Sequence, residues 1–249
     1  MSENQVLDYW NREDVESMYD KHLLSAEIRL IRDRIPNNSK VLDAGCGEGE
    51  GIACYAGIPG VEIHAADFSE TRLKKAARRL KGRENVTLKQ VDFLGEYKLD
   101  HDYDIVVSQR FLINLMEWRW QKRVILNLMS MLKPGGKLLM LEGSIQGVDA
   151  LNNFRRTMGL PRIPIKWHNL FLDDMFLLDF MHEWNYTLIE QTGLGAYYLL
   201  TRGVRPVLDT ELNWDCEFNR LAATKSVDDL MGIDGHFSRL KLWVFGRHG

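Results

Sequence analysis

A glycine-rich turn that directly follows a short apolar segment constrains the fold of this chain more than any other feature. Residues 40–43 read Lys-Val-Leu-Asp, and glycines then occupy positions 45, 47, 49 and 51. Glycine allows a tight turn and lets the backbone approach a ligand closely. The N–H groups at the start of the following helix are free to bind. The pattern therefore predicts a strand, a ligand-binding loop and a helix, in that order.

Two common ligands of such turns fit these residues poorly. A nucleotide-binding P-loop ends in Gly-Lys-Ser or Gly-Lys-Thr, and this turn contains no lysine. A dinucleotide-binding turn has glycine at its sixth position, where this chain has Glu50. Glu48 and Glu50 would also repel a pyrophosphate, because like charges repel. Asp43, just before the glycines, instead favours a ligand with a positive charge, such as a free amino group.

Short apolar segments alternate with longer helix-like segments along most of the chain. We predict strands at residues 40–43, 61–66, 86–91, 103–108, 137–142, 186–191 and 241–246. We predict helices at residues 52–56, 70–81, 117–132 and 173–184, and one or two helices over residues 11–34 with Asn11 as the cap. This alternation indicates an α/β fold with helices on both faces of a parallel sheet. Ligands of such sheets bind at the carboxyl ends of the strands.

Composition narrows the class of protein. The chain has 249 residues, 45% of them hydrophobic and 27% charged, which fits one globular domain. Three cysteines without a C-x-x-C pair argue against a disulfide framework or a zinc site. A net charge of −3 argues against non-specific binding of nucleic acid. The N-terminus does not resemble a signal peptide and no segment has the roughly 20 apolar residues of a membrane span, so we expect a soluble, cytoplasmic protein.

Acidic residues follow the second and third predicted strands. Asp67 lies 22 residues after Gly45, where a carboxylate can accept both hydroxyls of a ribose. Asp92 and Phe93 end the third strand, where an acid can bind an exocyclic amine and an aromatic ring can cover a purine. Together with Asp43, these residues describe a ligand with an amino acid end, a ribose and an adenine. The alternative for each acid alone is a helix cap or a turn former.

This arrangement resembles the class I S-adenosylmethionine-dependent methyltransferases. The segment from Lys40 to Glu142 carries the resemblance, and it matches the family in its D-x-G-x-G-x-G turn, its strand-end acids and its L-K-P-G-G turn at residues 132–136. The resemblance implies S-adenosylmethionine as cofactor and a Rossmann-like, seven-stranded, mostly parallel sheet with helices on both faces and a cap inserted after strand 5. We assign to the cofactor site Asp43, Gly45, Gly47, Gly49, Asp67, Phe68, Asp92, Phe93 and Gln109.

Residues after the fourth strand face the acceptor in this family, and here they read Ser-Gln-Arg-Phe-Leu-Ile-Asn at 108–114. The N/D-P-P-Y/F motif of enzymes that methylate base or amide nitrogens is absent, which argues against amino-adenine and glutamine-amide targets. Arg110 is a candidate catalytic-site residue, because an arginine there can pair with an anionic substrate. The alternative is a structural salt bridge, with Glu142 as a candidate partner.

The predicted cap, residues 145–170, is locally basic and contains a candidate general base. Arg155, Arg156, Arg162 and Lys166 outnumber Asp149, which favours a phosphate or carboxylate group nearby. The alternative for the arginine pair is a solvated helix face. His168 is the candidate base, because a histidine with a pKa near neutrality suits a hydroxyl nucleophile. Its alternative is a packing or surface histidine, and no metal site is predicted.

Four segments, 108–115, 142–147, 167–170 and 196–202, also resemble bacterial small-molecule methyltransferases associated with surface-polysaccharide synthesis. This resemblance implies O-methylation of a sugar or sugar phosphate, with nucleic acid an unexpected partner. An RNA or protein methyltransferase and a non-catalytic regulator that binds S-adenosylmethionine are the alternatives, and the oligomeric state stays open. We divide a single domain, residues 1–249, into an N-terminal helical cover (1–39), a cofactor-binding half (40–142), a cap with its helix (143–185) and a C-terminal part (186–249).

Overall fold

A seven-stranded sheet organises the chain, in the order β3-β2-β1-β4-β5-β7-β6. The computed structural model describes residues 3–16, 18–209, 211, 213–225, 227 and 231–247. All pairings are parallel except those of β7, which runs antiparallel to both neighbours. The strands are β1 (Lys40–Ala44), β2 (Glu62–Asp67), β3 (Val86–Gln90), β4 (Tyr103–Gln109), β5 (Leu132–Gly143), β6 (Tyr186–Gly193) and β7 (Leu240–Arg247). The predicted fold class and the seven predicted strands are confirmed.

Helices connect these strands. They are α1 (Glu3–Asn11), α2 (Lys21–Arg32), α3 (Glu50–Tyr55), α4 (Glu70–Arg79), α5 (Trp118–Ser130), α6 (Ile145–Thr157), α7 (Asp174–Glu183), α8 (Gly195–Tyr198), α9 (Arg205–Leu208) and α10 (Glu217–Ala222). A 3-10 turn (Leu112–Asn114) follows β4, and a π-helical turn (Leu199–Val204) joins α8 to α9. No helix in the described ranges is long and apolar enough to cross a membrane.

Both faces of the sheet are buried, as expected for parallel strands between helices. In β1, Leu42 packs into one apolar core and Val41 into the other, because successive side chains of a strand point to opposite faces. The first core contains residues of α5 and α7, and the second contains residues of α2, α3 and α4. Val41 pairs with Ile63 on one side and Ile105 on the other, so the central strands are in register.

Chain direction across the sheet reverses between β1 and β4. From β1 the chain builds outward to β3, and then it returns to β4 on the other side of β1. Crevices at the carboxyl ends of strands open at such switch points. The residues that follow β1, β2, β3, β4 and β5 therefore meet around one opening.

The N-terminal helices begin and end elsewhere than predicted. Asn11 ends α1 instead of starting a helix, so the expectation that it caps the 11–34 segment is wrong. Asp20 caps α2, because its carboxylate accepts a hydrogen bond from the Leu23 amide at 3.0 Å. Ser69 caps α4 by accepting from the Arg72 amide, and Asp173 caps α7 by accepting from the Met175 and Phe176 amides.

Two features of the fifth strand and the cap also differ from prediction. The Pro134-Gly135-Gly136 turn lies within β5, where the register shifts between Tyr103 and Ile105 of β4. The sequence after residue 144 suggests an irregular segment, whereas α6 begins there, with the Ser144 hydroxyl accepting from the Gly147 amide at 2.9 Å. Within the predicted cap, the irregular residues are those between α6 and α7, and Leu172 among them forms an isolated bridge with Ser144.

Candidate functional site

A cavity of about 430 Å³ lies at the carboxyl edge of the sheet. Its walls come from the glycine turn, the ends of β2 to β4, helix α1, the segment between α6 and α7, and the residues just before β7. This volume is within the range of small-molecule sites, roughly 300–1,000 Å³. The cavity gathers side chains that are more than 200 residues apart in the sequence.

The glycine turn has the left-handed backbone that its sequence predicts. Gly45 and Gly47 have φ values of +74° and +55°, a region that residues with a Cβ adopt rarely. A Cβ at Gly45 would lie 2.5 Å from the Cβ of Phe111, so only glycine fits there. The amides of Gly45 and Cys46 both donate to the Ala66 carbonyl, at 2.8 and 3.0 Å, which ties the turn to β2.

Asp43 is a buried carboxyl at the start of this turn, with 6% of its surface exposed. Burial, and secondly the charge of Asp67, raises its pKa to about 7. No hydrogen bond or ion pair engages its side chain within the part of the chain that the structure describes. A buried carboxylate without a partner is costly. Asp43 is therefore suited to a cationic group of a ligand in the cavity.

Asp67 connects the end of β2 to the glycine turn. Its two oxygens accept from the amides of Gly47 and Ser69, each at 2.9 Å. Burial raises the pKa of Asp67, although these hydrogen bonds oppose the shift. These two hydrogen bonds leave free lone pairs on the carboxylate oxygens, which can still accept hydrogen bonds from hydroxyl groups.

Of the remaining predicted cofactor residues, Phe68, Asp92, Phe93 and Gln109 line the same cavity. Gly49 does not, because it packs against Ala76 and Leu80. Phe68 is half-buried beside Asp67, while Asp92 is exposed and accepts from the Leu94 amide at 2.9 Å. Phe93 is buried in the core, where its ring centroid lies 5.3 Å from that of Phe111. Gln109 donates to Glu27 at 3.3 Å. The structure brings eight of the nine residues to the cavity, and the cofactor-binding role of all nine stays a prediction.

Arg110 lines the cavity but is not bonded to Glu142 as the sequence suggests. Its guanidinium binds the Glu27 carboxylate through two contacts of 2.6 and 2.9 Å, and Glu27 is fully buried on α2. Glu142 instead accepts from the amides of the 3-10 turn and from the Ser108 hydroxyl, and burial raises its pKa to about 7. The Arg110–Glu142 pairing is therefore wrong, and the charge of Arg110 is balanced within the protein.

His168 lies inside the cavity wall, with 3% of its surface exposed. Its ring stacks on Tyr9 of α1 at 4.5 Å and meets Trp10 edge-on at 5.4 Å. Partial burial, and then the charge of Lys166, lowers the pKa of His168, so the imidazole is neutral near pH 7. Its Nδ1 has no hydrogen-bond partner among the described residues.

Helix α1 closes the cavity through Trp10. The indole Nε1 donates to Asn114 at 3.0 Å, and the guanidinium of Arg72 lies 4.6 Å from the centre of the Trp10 ring. Arg72 also donates to the Trp10 carbonyl at 3.1 Å and is 5% exposed. Arg72 belongs to the basic helix α4, and its buried side chain joins α4 to α1.

Of the four cations in the predicted basic cap, Lys166 lines the cavity and the other three do not. Arg155 is buried and bonds the carbonyls of Pro161 and Arg202, so it holds the chain that follows α6. Arg162 pairs with Asp149 on the surface, at 3.3 Å. The expectation that this group as a whole faces a ligand is therefore wrong.

Sequence reasoning missed Glu27, Arg202 and Arg239. Glu27 is predictable from the sequence. It lies four residues from both Leu23 and Ile31 on the apolar stripe of α2, which predicts that its carboxylate is buried. Arg202 binds Asp20, which is fully buried. Arg239 immediately precedes β7 and has no comparable signal, because only the antiparallel pairing of Gly143 with Leu240 brings it to this edge.

The cavity lining contains both signs of charge. Three acids, Asp43, Asp67 and Asp92, follow β1, β2 and β3, whereas the cations Lys166 and Arg239 come from the segments that precede α7 and β7. The described residues contain no cluster of histidine, cysteine and acidic side chains that fits a metal ion. The arrangement suits a ligand with a cationic group at one end and a second molecule with an anionic group at the other.

Comparison with known proteins relates part of this chain to a protein family. Residues 41–136 match the family model described as a methyltransferase domain. They include the glycine turn and every predicted cofactor residue. The chain is also 33% identical over 105 residues to a demethylmenaquinone methyltransferase of Clavibacter sepedonicus. The match covers 42% of this chain and 41% of that relative, so the chain aligns with about two fifths of the relative's length.

Solved structures share the fold over nearly the whole chain. The N-methyltransferase NodS of Bradyrhizobium japonicum, in complex with S-adenosylhomocysteine, is 16% identical, with a TM-score of 0.61 and coverage of 99% of this chain and 98% of that one. A methyltransferase of Geobacter sulfurreducens, also in complex with S-adenosylhomocysteine, is 16% identical, with a TM-score of 0.57 and 98% of each chain covered. At this level of identity the two structures show a shared fold.

Proposed function

We propose that this protein is an S-adenosylmethionine-dependent methyltransferase that acts on a small acceptor with a hydroxyl nucleophile. One observation carries the proposal. Asp43 is a buried carboxyl without a partner among the described residues, and it faces a cavity at the switch point of the sheet, within the segment that matches a methyltransferase domain. The named relative acts on a small molecule, as its name states, which supports a small acceptor here.

The residues present fit this cofactor. In this proposal Asp43 binds the ammonium group, Asp67 the ribose hydroxyls and Asp92 the exocyclic amine. Phe68 supplies aromatic surface beside them, and Phe93 packs in the core behind this wall. The positive φ of Gly45 and Gly47 keeps side chains out of the same wall. The cofactor supplies, when bound, a methyl group on a positively charged sulfur. An acidic wall suits a ligand with two positive charges.

His168 supplies the base. Its imidazole is neutral because burial and the charge of Lys166 lower its pKa, so it can take the proton of an acceptor hydroxyl. Tyr9, Trp10 and Trp167 contact the ring and fix its orientation. A fixed base is more effective than a mobile one, because proximity is provided before the reaction. Arg110, paired with Glu27, acts as a positioning residue at the end of β4.

A sugar or sugar phosphate is the acceptor that we propose, on the second resemblance described above. The relative from Clavibacter makes a quinone-type acceptor the main small-molecule rival. Methylation of RNA or protein, or cofactor binding without turnover, are the other outcomes. A screen of labelled-methyl transfer over sugars, sugar phosphates, quinols, RNA and protein extracts distinguishes these outcomes directly.

Cofactor binding is tested by isothermal titration calorimetry with S-adenosylhomocysteine. We expect Asp67→Asn to weaken binding about 10- to 100-fold, because hydrogen bonds to a charged group are lost. Glu84→Gln is the control, since Glu84 is an exposed carboxyl away from the cavity. The proposal fails if the wild type does not bind, or if the two variants bind equally well.

The base is tested by the His168→Gln variant. We expect turnover to fall by about 10²- to 10⁴-fold with cofactor affinity unchanged, because general-base catalysis contributes on that scale. His101→Gln is the matched control, because His101 is exposed and lies outside the cavity. If His168→Gln keeps full turnover, His168 is not the general base.

A further inference from the structure

Four cations that line the cavity, Arg110, Lys166, Arg202 and Arg239, fall into two kinds according to their partners. Arg110 is paired with Glu27, and Arg202 with Asp20, and both acids are fully buried. Lys166 and Arg239 have no carboxylate partner anywhere in the described ranges. Two positive charges therefore remain uncompensated on one wall.

These two cations lie near each other and near a buried hydroxyl. Partial desolvation is the main cause of the lowered pKa of Lys166, and the charges of Arg110 and Arg239 lower it further. Burial is the main cause of the lowered pKa of Arg239, and the charges of Arg110 and Arg202 lower it further. Cations that repel one another across a cavity are stabilised by an anion between them.

The hydroxyl belongs to Tyr198, which is 4% exposed and lines the cavity. Burial, with the charge of Glu27, raises the pKa of Tyr198 to about 12, so its hydroxyl keeps its proton and can donate a hydrogen bond. No protein group in the described part of the chain accepts that hydrogen bond. The oxygen is accessible from the cavity, where a ligand can accept that hydrogen bond.

The backbone contacts of Arg239 leave most of its donors available. Its guanidinium donates once, to the Pro164 carbonyl at 3.1 Å, and stands 5.7 Å from the centre of the Phe171 ring. An arginine side chain has five N–H donors in a planar fork that matches the geometry of carboxylate and phosphate. Lys166 adds a point charge, two residues before His168 in the same segment.

We propose that Lys166, Arg239 and Tyr198 bind a dianionic, phosphate-type group of the methyl acceptor. This inference rests on the proposed function, because it assigns the group to the molecule that His168 deprotonates. Two uncompensated charges and a hydroxyl donor match two negative charges better than one. Neutral acceptors would leave Arg239, which is partly buried, without an anionic partner, so the site favours an anionic acceptor.

The test uses the full chain saturated with S-adenosylhomocysteine and inorganic phosphate as the probe. Phosphate is titrated calorimetrically at constant ionic strength, at a pH where it is mostly dianionic. We expect saturable binding that Arg239→Gln weakens about 10- to 100-fold, because a charge-assisted hydrogen bond to an anion is lost. Tyr198→Phe should weaken binding less, since it removes one neutral donor.

Two controls separate a built site from general charge. Arg156→Gln removes the same charge from an exposed position on α6 outside the cavity, and it should leave phosphate binding within about twofold. Acetate, a monoanion, should bind more weakly than phosphate. The inference is overturned if phosphate does not saturate, if Arg239→Gln binds it as well as the wild type, if Arg156→Gln loses as much, or if acetate binds equally well.

Failure of this inference is distinguishable from failure of the proposed function. Binding of S-adenosylhomocysteine should be unchanged in the Arg239 and Tyr198 variants, because neither residue belongs to the acidic wall. Repeating the phosphate titration without S-adenosylhomocysteine measures the anion site alone. If the protein binds phosphate with the expected variant pattern but does not bind S-adenosylhomocysteine, the proposed function fails and the anion site stands.

Discussion

Replacing Asp43 by asparagine should stabilise the ligand-free protein at alkaline pH while it weakens cofactor binding. The carboxyl of Asp43 is 6% exposed, and burial, followed by the charge of Asp67, raises its pKa from 3.8 to about 7. A carboxyl whose pKa is higher in the folded state than in the unfolded state contributes favourably to the free energy of unfolding at pH values below 3.8. That contribution is lost as the pH rises through about 7, because the folded state must then hold a buried charge.

The size of the effect follows from the interval between the two pKa values. At roughly 1.4 kcal/mol per pH unit, the interval from 3.8 to about 7 corresponds to about 4 kcal/mol, lost in full at pH values above both. Asparagine has nearly the same shape and no charge, so it removes this penalty. We expect a gain in the free energy of unfolding of up to about 4 kcal/mol at alkaline pH, and a smaller gain under mildly acidic conditions.

Thermal denaturation of the ligand-free protein at several pH values measures this gain. Glu84→Gln, at an exposed carboxyl, is the control and should not change the midpoint. Calorimetry should show that Asp43→Asn binds S-adenosylmethionine at least about tenfold more weakly, because a charge-assisted contact to the amino group is lost. The reasoning is refuted if the variant is less stable than the wild type at alkaline pH, or if its gain is the same at acidic pH.

Two further substitutions test the walls of the cavity. Glu27→Gln removes the charge that balances Arg110, and we expect it to lower the free energy of unfolding by about 3 kcal/mol, measured by urea denaturation; a neutral result would show that Arg110 finds another partner. Trp10→Ala removes the ring contact with Arg72 and the bond to Asn114, so cofactor should dissociate faster in stopped-flow measurements, whereas Tyr186→Phe, far from the cavity, should not change that rate.

The half of the chain that carries the cofactor residues was predictable because its signals are local. A strand followed by a glycine turn reveals β1, and an acid at the end of an apolar segment reveals Asp67, without knowledge of the rest of the fold. The parallel order of the strands then places these residues at one edge. Signals of this kind lie within a few neighbouring residues, so they can be recognised without knowing the long-range contacts of the fold.

The acceptor half was less predictable because its residues depend on long-range packing. Arg110 meets Glu27 only because α2 covers the end of β4, and Arg239 reaches the cavity only through the antiparallel register of β7. Helix α6 was missed because Gly147 and Asn152 lower its local helix propensity. Burial of Leu151 and the cap by Ser144 outweigh that propensity.

The closure of the cavity by α1 and by the residue before β7 has a consequence for how the protein matures. Tyr9 and Trp10 precede all seven strands in the chain, and Arg239 follows six of them. A growing chain can form the sheet from β1 to β5 while the acceptor end of the cavity still lacks its wall. Ligand binding at that end therefore reports that synthesis has passed residue 239, and a protease that removes β7 would separate cofactor retention from acceptor recognition.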